Sequence, residues 1–284
     1  MSMMMTTTND EFDVYLISTA SMDIFSDNTM AAFTNRFSEP INLSRDWRVA
    51  LAEIAFPTAI KNVTDSDIYV YVDEPDTDEG GDGVIRKPRT PKHFEIPTGI
   101  YKSAEDLLDT IRTIVPIAFT YTRNANTGLI TINFNENEGL TFGSNQVPSL
   151  LGFEGIPDYA QGVHIGYKQL SFYSVLNRHT GSFPADMTAG THFAFVYLDV
   201  IKLQTLGDTK APVLRVINCD NKLKISDTKE STHSHKSFSN LQYKKLLKNN
   251  IGSIHVEIRS ETGKRLPFIG TGKVFLALNF KKFK

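Results

Sequence analysis

The sequence predicts an all-β protein, and three observations support that fold class. Aromatic residues make up 11% of the chain, with 19 Phe and 10 Tyr against the single Trp47, and aromatic side chains suit the pleated, half-buried surface of a strand. Short apolar or alternating segments recur between Gly, Pro, Asn and Asp turn signals. Only one segment has the spacing and capping residues of a full helix. About ten short strands with one helix are typical of a sandwich or jelly roll.

The first half of the chain opens with clear alternation. Phe12, Val14 and Leu16 alternate with Asp13 and Tyr15, as expected for a strand with one buried face. Further along, the alternating segment that starts at Trp47 is stopped by a proline at position 57. Strands are predicted at 12–19, 47–56, 68–72, 94–96 and 140–142, and the segment 30–37 is extended or briefly helical.

One helix is predicted after Ser103. Ser103 can cap this helix, and Glu105 and Asp106 suit the positive end of its dipole. An apolar stripe follows at positions 107, 108, 111 and 114, and Pro116 ends the helix.

A β-hairpin is predicted directly after the helix. The apolar segment 117–122 can pair with 129–134 across the polar, Gly-containing turn 124–128. Residues 147–151 could form a single helical turn that Gly152 ends.

The second half of the chain is more regular. Strands are predicted at 168–175, 192–201, 213–219, 254–259 and 273–280, while the polar or Gly/Pro-rich segments 73–91, 154–166 and 220–240 are predicted to be exposed loops. Residues 1–11 are polar and Met-rich, so they are expected to form a flexible N-terminal arm. The main domain is predicted to span 12–284, with an insertion or small second β region at about 73–166.

No catalytic motif is visible in the sequence. There is no Gly-x-Ser-x-Gly elbow, no P-loop and no His-Glu-x-x-His. His233 and His235 come nearest to a metal pair, but they lie in a polar segment without neighbouring Cys or carboxylate ligands. Asp76, Asp78 and Asp82 offer the oxygens that Ca²⁺ prefers, but their spacing departs from an EF-hand loop and favours a solvated acidic tip. We therefore expect no enzyme activity, no catalytic or metal site and no cofactor.

The single cysteine, Cys219, bears on the compartment. An intrachain disulfide is impossible, which fits folding in a reducing compartment such as the cytosol or nucleus of a host cell. Cys219 ends an apolar strand and is expected to be a buried small hydrophobe. No apolar stretch approaches the roughly 20 residues that span a bilayer, and the N-terminus lacks the pattern of a signal peptide.

Charge is unevenly distributed along the chain. Residues 65–82 contain eight acidic side chains and no Lys or Arg, whereas residues 241–284 contain ten Lys or Arg against Glu257 and Glu261. One interpretation is that opposite faces carry opposite charge, so that one side meets a polyanion and the other does not. The alternative is that these charges flank strands and prevent edge-to-edge pairing.

A set of ordered segments resembles a known family. They are SMDIFSDNT at 21–29, FTNRF at 33–37, EPINL at 39–43, WRVALAEIAFP at 47–57, VYLDVI at 196–201, GD at 207–208, APVLRV at 211–216, IHVEIR at 254–259, PF at 267–268, GKV at 272–274 and LALNF at 276–280. In order, they resemble the minor capsid, or penton-like, proteins of Polinton/Maverick elements and related viruses. Lys281 and Lys282 supply the basic residues that follow the last segment in that family, whereas Asn279 stands where His is frequent.

This resemblance implies a jelly-roll subunit of a virion. Such subunits assemble as pentamers at icosahedral fivefold vertices, beside a double jelly-roll major capsid protein. The family implies no catalytic residues, so none are carried over. The acidic segment 73–91 and the helix after Ser103 would be elaborations of the jelly roll.

Three alternatives remain open at this stage. A trimeric major capsid subunit or fibre would usually need a longer chain. A receptor- or glycan-binding β-sandwich could use exposed aromatic side chains, for which the candidates are Tyr159, Tyr167, Phe172 and Tyr173. A β-rich hydrolase has no supporting motif.

Overall fold

The computed structural model describes residues 10–44, 46–64, 67–71, 92–134, 139–142, 146–153, 170–172, 178–188, 191–219 and 233–283. The chain divides into two compact units, one formed by residues 1–60 and 191–284 and the other by residues 61–190. The second unit is therefore inserted, in sequence, between two segments of the first. In the described ranges, no helix is long and apolar enough to cross a lipid bilayer.

Strands dominate the described residues, which also form the helices α1 (Ala104–Ile114) and α2 (Gln146–Leu150). In chain order the strands are β1 (Glu11–Ile17), β2 (Ala32–Asn42), β3 (Trp47–Pro57), β4 (Asp67–Tyr71), β5 (Lys92–Glu95), β6 (Phe119–Arg123), β7 (Ile130–Phe134), β8 (Gly139–Phe142), β9 (Leu170–Phe172), β10 (Arg178–Thr180), β11 (Phe193–Leu198), β12 (Gln204–Leu206), β13 (Thr209–Ala211), β14 (Val213–Asn218), β15 (His233–Ser237), β16 (Lys244–Lys245), β17 (Asn250–Arg259) and β18 (Phe275–Lys282).

Eight strands of the first unit form two antiparallel sheets. One sheet has the order β1-β18-β3-β15, with the short β16 also pairing with β3, and the other has the order β14-β11-β17-β2. Numbered one to eight along the chain, these strands stand in the orders 1-8-3-6 and 5-4-7-2, which are the two interlocking Greek keys of a jelly roll. The strand order therefore confirms the predicted all-β jelly-roll fold.

Alternate side chains of the two sheets fill one hydrophobic core. In a strand, every second side chain points to the same face, and the inward positions are apolar in both sheets. The central strands contribute side chains that are at most 1% exposed: Leu276, Leu278 and Phe280 from β18, and Ile254, Val256 and Ile258 from β17.

The second unit has a hydrophobic core of its own. Its strands form the sheets β10-β7-β6 and β5-β4-β8-β9. The predicted insertion at about 73–166 lies inside this unit, which reaches from 61 to 190. The jelly roll is accordingly interrupted between its third and fourth strands, β3 and β11.

Helix α1 follows the predicted signals closely. The Ser103 side chain accepts a hydrogen bond from the Asp106 backbone N–H at 3.1 Å, and Glu105 and Asp106 occupy the first turn. Leu107 and Leu108 are buried on the apolar side of the helix. Because Pro116 has no N–H and restricts the residue before it, the helix ends at Ile114 with Val115 extended.

The hairpin and the short helical turn are also confirmed. β6 pairs with β7 in antiparallel register, and the Asn124 side chain accepts hydrogen bonds from the backbone N–H groups of residues 126 and 127 in the turn. α2 covers most of the predicted turn, and Gly152 follows it with a φ of +82°. A Cβ on Gly152 would lie 1.9 Å from the Phe183 carbonyl oxygen, so this position requires glycine.

The structure corrects the prediction of an exposed loop at 220–240. Residues 233–237 form β15, which pairs with β3 at the edge of the sheet. Only Ser234 of this strand is buried, so its sequence carries almost no apolar signal. The estimate of about ten strands was too low for the same reason, since strands of two to five mostly polar residues escape detection. The segment 30–37, predicted to be extended or briefly helical, contributes to strand β2.

Other predictions fall on parts of the chain outside the described residues. These are the loops 73–91 and 154–166, residues 220–232 and residues 1–9 of the predicted arm. Of the arm predicted at 1–11, Asp10 and Glu11 are described, and Glu11 already begins β1. Within the predicted strand 168–175, only Leu170–Phe172 is described, as β9.

We expect Leu278→Ala to lower the free energy of unfolding by about 2–5 kcal/mol, because it removes fully buried methyl groups and leaves a cavity between the sheets. Denaturant unfolding followed by the fluorescence of Trp47, which is buried in the same unit, measures the change. The exposed Leu203 provides a matched control, and Leu203→Ala should change stability by less than about 0.5 kcal/mol. Equal losses for the two variants would contradict the described core.

Candidate assembly surfaces

The histidine pair considered as a metal site lies on β15. His233 and His235 are exposed and flank the buried Ser234, and the His235 Nε2 atom lies 3.4 Å from the Glu53 Oε2 atom. Among the described residues, no group of three or more His, Cys, Asp or Glu side chains could hold a metal ion. The structure thus brings one carboxylate to this pair and no complete ligand set.

The remaining candidates from the sequence are placed as follows. Cys219 is buried, and its thiol donates to the Ile217 carbonyl oxygen at 3.7 Å. Asp76, Asp78 and Asp82 lie outside the described residues, and so do Tyr159, Tyr167 and Tyr173. Phe172 belongs to β9, of which the structure describes only the backbone.

A partly exposed aromatic strip runs along β11 on the outer side of the sheet β14-β11-β17-β2. We call it the aromatic face and define it by Phe193, Phe195, Tyr197, Val216 and Arg259. Phe193 and Val216 are 40% and 43% exposed, and Phe195 pairs with Val216 on one side and with Arg259 on the other. The Arg259 guanidinium lies 5.1 Å from the centre of the Tyr197 ring. Aromatic and Arg side chains in this arrangement are characteristic of protein–protein interfaces.

A nearly buried carboxylate, Glu257, anchors the charged part of the aromatic face. Its side chain is only 12% exposed, and it accepts hydrogen bonds from Arg259 and Arg265, with Arg265 Nη2 at 2.6 Å. Burial alone raises the pKa of Glu257, but the hydrogen bonds from Arg265 and Arg259 outweigh it, so the pKa lies below its ordinary value of 4.5. Because hydrogen bonds to Glu257 hold the Arg259 guanidinium, this planar group is fixed beside the Tyr197 ring.

A second exposed patch lies on the outer side of the other sheet. We call it the tyrosine face and define it by Tyr15, Ile17, Phe275, Glu53 and His235. Tyr15 is 62% exposed, and its ring stacks on Phe275 with 5.8 Å between the ring centres. Ile17 pairs directly with Phe275 across the strands β1 and β18. Glu53 and His235 place a carboxylate and an imidazole beside these apolar groups.

The far end of the same sheet carries a polar hydrogen-bond network centred on Asn279. The Asn279 side chain is buried and donates to Glu11 and Asp13, while it accepts a hydrogen bond from the Tyr243 hydroxyl at 2.6 Å. Hydrogen bonds from Lys281 and Asn279 lower the pKa of Glu11. Asn279, where the resembled family often has His, thus has a structural role here as the centre of a polar network.

The two faces are the features that sequence reasoning missed. The signal for the aromatic face was present, since residues 193–198 read FAFVYL without a polar residue. A strand with one solvated face should alternate, so an unbroken apolar run indicates that both faces meet apolar surroundings. The tyrosine face had no such signal, because Tyr15 and Phe275 meet only through pairing of the first and last strands.

We expect Glu257→Gln to lower the free energy of unfolding at pH 7 by about 1.5–3 kcal/mol, because two guanidinium groups lose a charge-assisted partner. The pKa of Glu257 is depressed in the folded state, so its carboxylate stabilises the fold above pH 4.5 and this contribution is lost as the pH falls through the lower folded pKa. Denaturant unfolding at pH 7 and pH 3 should show the two proteins converging at low pH. A difference that is independent of pH would contradict this role.

The solved structures to which this chain is similar include two from virophages. The penton protein of mavirus has 11% sequence identity over 96% of this chain and 100% of its own, with a TM-score of 0.42. A chain from the cryo-EM structure of the Sputnik virophage has 11% identity over 96% of this chain and 98% of its own, with a TM-score of 0.43. No protein-family model matches the sequence, and neither does any curated protein. The strand order of the two sheets, and not these comparisons, identifies the jelly roll.

Proposed function

We propose that the chain is a structural subunit of a virion capsid, a penton-like minor capsid protein whose copies close into a pentamer at the icosahedral vertices. One observation carries this proposal: a single jelly roll exposes two different aromatic patches on the outer sides of its two sheets. Its function would be to form the shell, since each copy supplies both surfaces of a contact that is repeated between neighbouring copies. The proposal assigns the chain no reaction and no cofactor.

Ring closure requires two different and complementary surfaces on each copy. The aromatic face offers Phe193 and Val216 beside a guanidinium, and the tyrosine face offers Tyr15 and Ile17 beside the Glu53 carboxylate. When the aromatic face of one copy meets the tyrosine face of the next, apolar groups contact apolar groups and Arg259 approaches Glu53. Such a head-to-tail contact closes into a ring when the rotation that relates neighbouring copies is a whole fraction of a full turn.

The sequence resemblance supports the finer parts of the proposal. It implies five copies, a vertex position and a double jelly-roll major capsid protein as the neighbour. The jelly roll by itself supports none of these three. The chain would be made in the host cytoplasm or nucleus and end in the virion, and its basic C-terminal stretch would meet genome DNA or a neighbouring subunit.

We expect native mass spectrometry of the purified chain to show a pentamer, and surface variants on either face to dissociate it. Phe193→Ser combined with Val216→Ser should raise the assembly midpoint concentration at least tenfold, as should Tyr15→Ser combined with Ile17→Ser, because each loss of a buried anchor costs roughly 1–2 kcal/mol or more. Ile24→Ser removes an exposed apolar group in the β1–β2 loop and should leave the assembly intact.

Mixing the two double variants tests the head-to-tail arrangement. Each variant keeps one working face, so an equimolar mixture should form a one-to-one heterodimer that cannot grow into a ring. Wild-type trimers would favour a trimeric capsid protein instead, and a strict monomer that joins no capsid would overturn the proposal. Thermal unfolding of each variant confirms that the fold is intact.

A further inference from the structure

The end of the jelly roll that contains the last residues of β18 carries a row of cations. Lys281 of β18 pairs with Arg48 of β3, and Arg48 pairs with Lys245 of β16 on its other side. Lys202 continues the row, because its backbone N–H donates to the Lys245 carbonyl oxygen at 2.9 Å. We call these four residues the basic row.

Direct pairing places the first three side chains on one face of the sheet. Residues opposite each other in antiparallel strands have Cβ atoms about 4.5–5.5 Å apart, and like charges at that distance destabilise a sheet. Arg48 therefore stands between two lysines at a cost to the fold. A row of this kind is better explained by the binding of an anionic ligand than by stabilisation of the fold.

Among the described residues, Lys281 is the one member of the basic row that forms an ion pair. Lys281 forms an ion pair with Glu11 at 2.7 Å, and the Arg48 guanidinium lies 4.4 Å from the centre of the Phe283 ring. Among the described residues, no carboxylate forms an ion pair with Arg48, Lys245 or Lys202.

Two further lysines adjoin the row in sequence but do not belong to it. Lys244 and Lys282 stand beside Lys245 and Lys281 on β16 and β18, and each pairs with a buried residue of β3, Val49 and Trp47 respectively. The chain as a whole has a net charge of -2, so the charge of the basic row is a local feature.

We propose that this end of the jelly roll binds the phosphate backbone of nucleic acid without reading its sequence. Four neighbouring segments at about 4.8 Å spacing span roughly 14 Å, a length over which duplex DNA carries about eight phosphates. The basic row is therefore long enough to reach several phosphates of a duplex lying across the sheet end. This inference extends the proposed function and does not depend on the number of copies in the ring.

The test measures binding of the full chain to a fluorescent 30-base-pair duplex by anisotropy at several salt concentrations. Three phosphate contacts, from Arg48, Lys245 and Lys202, should give a slope of log K against log salt near -2.7, which corresponds to a loss of roughly 40-fold between 50 and 200 mM salt. A second duplex of unrelated sequence should bind equally well.

Paired variants locate the contact. Lys202→Gln combined with Lys245→Gln should weaken binding and flatten the slope by about 1.8. Lys264→Gln combined with Lys273→Gln removes two exposed lysines near the other end of β18 and should leave affinity and slope unchanged. Equal effects of the two pairs would overturn the inference, as would an absence of duplex binding at 50 mM salt.

Anionic lipid vesicles separate nucleic acid from a membrane surface. Vesicles containing phosphatidylserine should not compete with the duplex at equal phosphate concentration. Binding to these vesicles without binding to the duplex would overturn the inference in favour of a lipid surface. Failure of duplex binding would not contradict the proposed pentamer. A monomeric chain that binds the duplex would contradict the pentamer but not the proposed role of the basic row.

Discussion

Pairing of the first strand with the last one constrains the rest of the jelly roll. β18 lies between β1 and β3, so one sheet is incomplete until residues near position 280 have joined residues near position 12. Contacts so distant in sequence incur loop-closure entropy before apolar burial can offset it. The inserted unit lengthens that closure, but the entropic term grows only with the logarithm of loop length. The fold tolerates the insertion because the inserted unit has a hydrophobic core of its own.

Local chemistry made much of this architecture predictable. Ser103, Asp106 and Pro116 specify where α1 begins and ends, because capping and the missing proline N–H act within a few residues. The β6–β7 hairpin is encoded equally locally, by Asn124 and Gly128 between two apolar segments. The all-β class follows from such signals summed along the chain.

Features that depend on register between distant strands could not be predicted. β15 reads as a polar loop because only Ser234 of its five residues is buried. The basic row exists only because Lys281, Arg48 and Lys245 fall at the same level of three strands. No spacing within a single segment contains that information, and a slip of one residue would turn these side chains to the opposite face.

The adjacency of the start of β1 and the end of β18 has a practical consequence. The Lys282 backbone N–H donates to the Asp10 carbonyl oxygen at 2.8 Å, so the first and last described residues leave the jelly roll side by side. A short linker can join them, and new ends can be opened in an exposed turn, which makes the fold suited to circular permutation. Cargo attached directly at Asp10 or at Lys282 would therefore lie at the same place, next to the basic row.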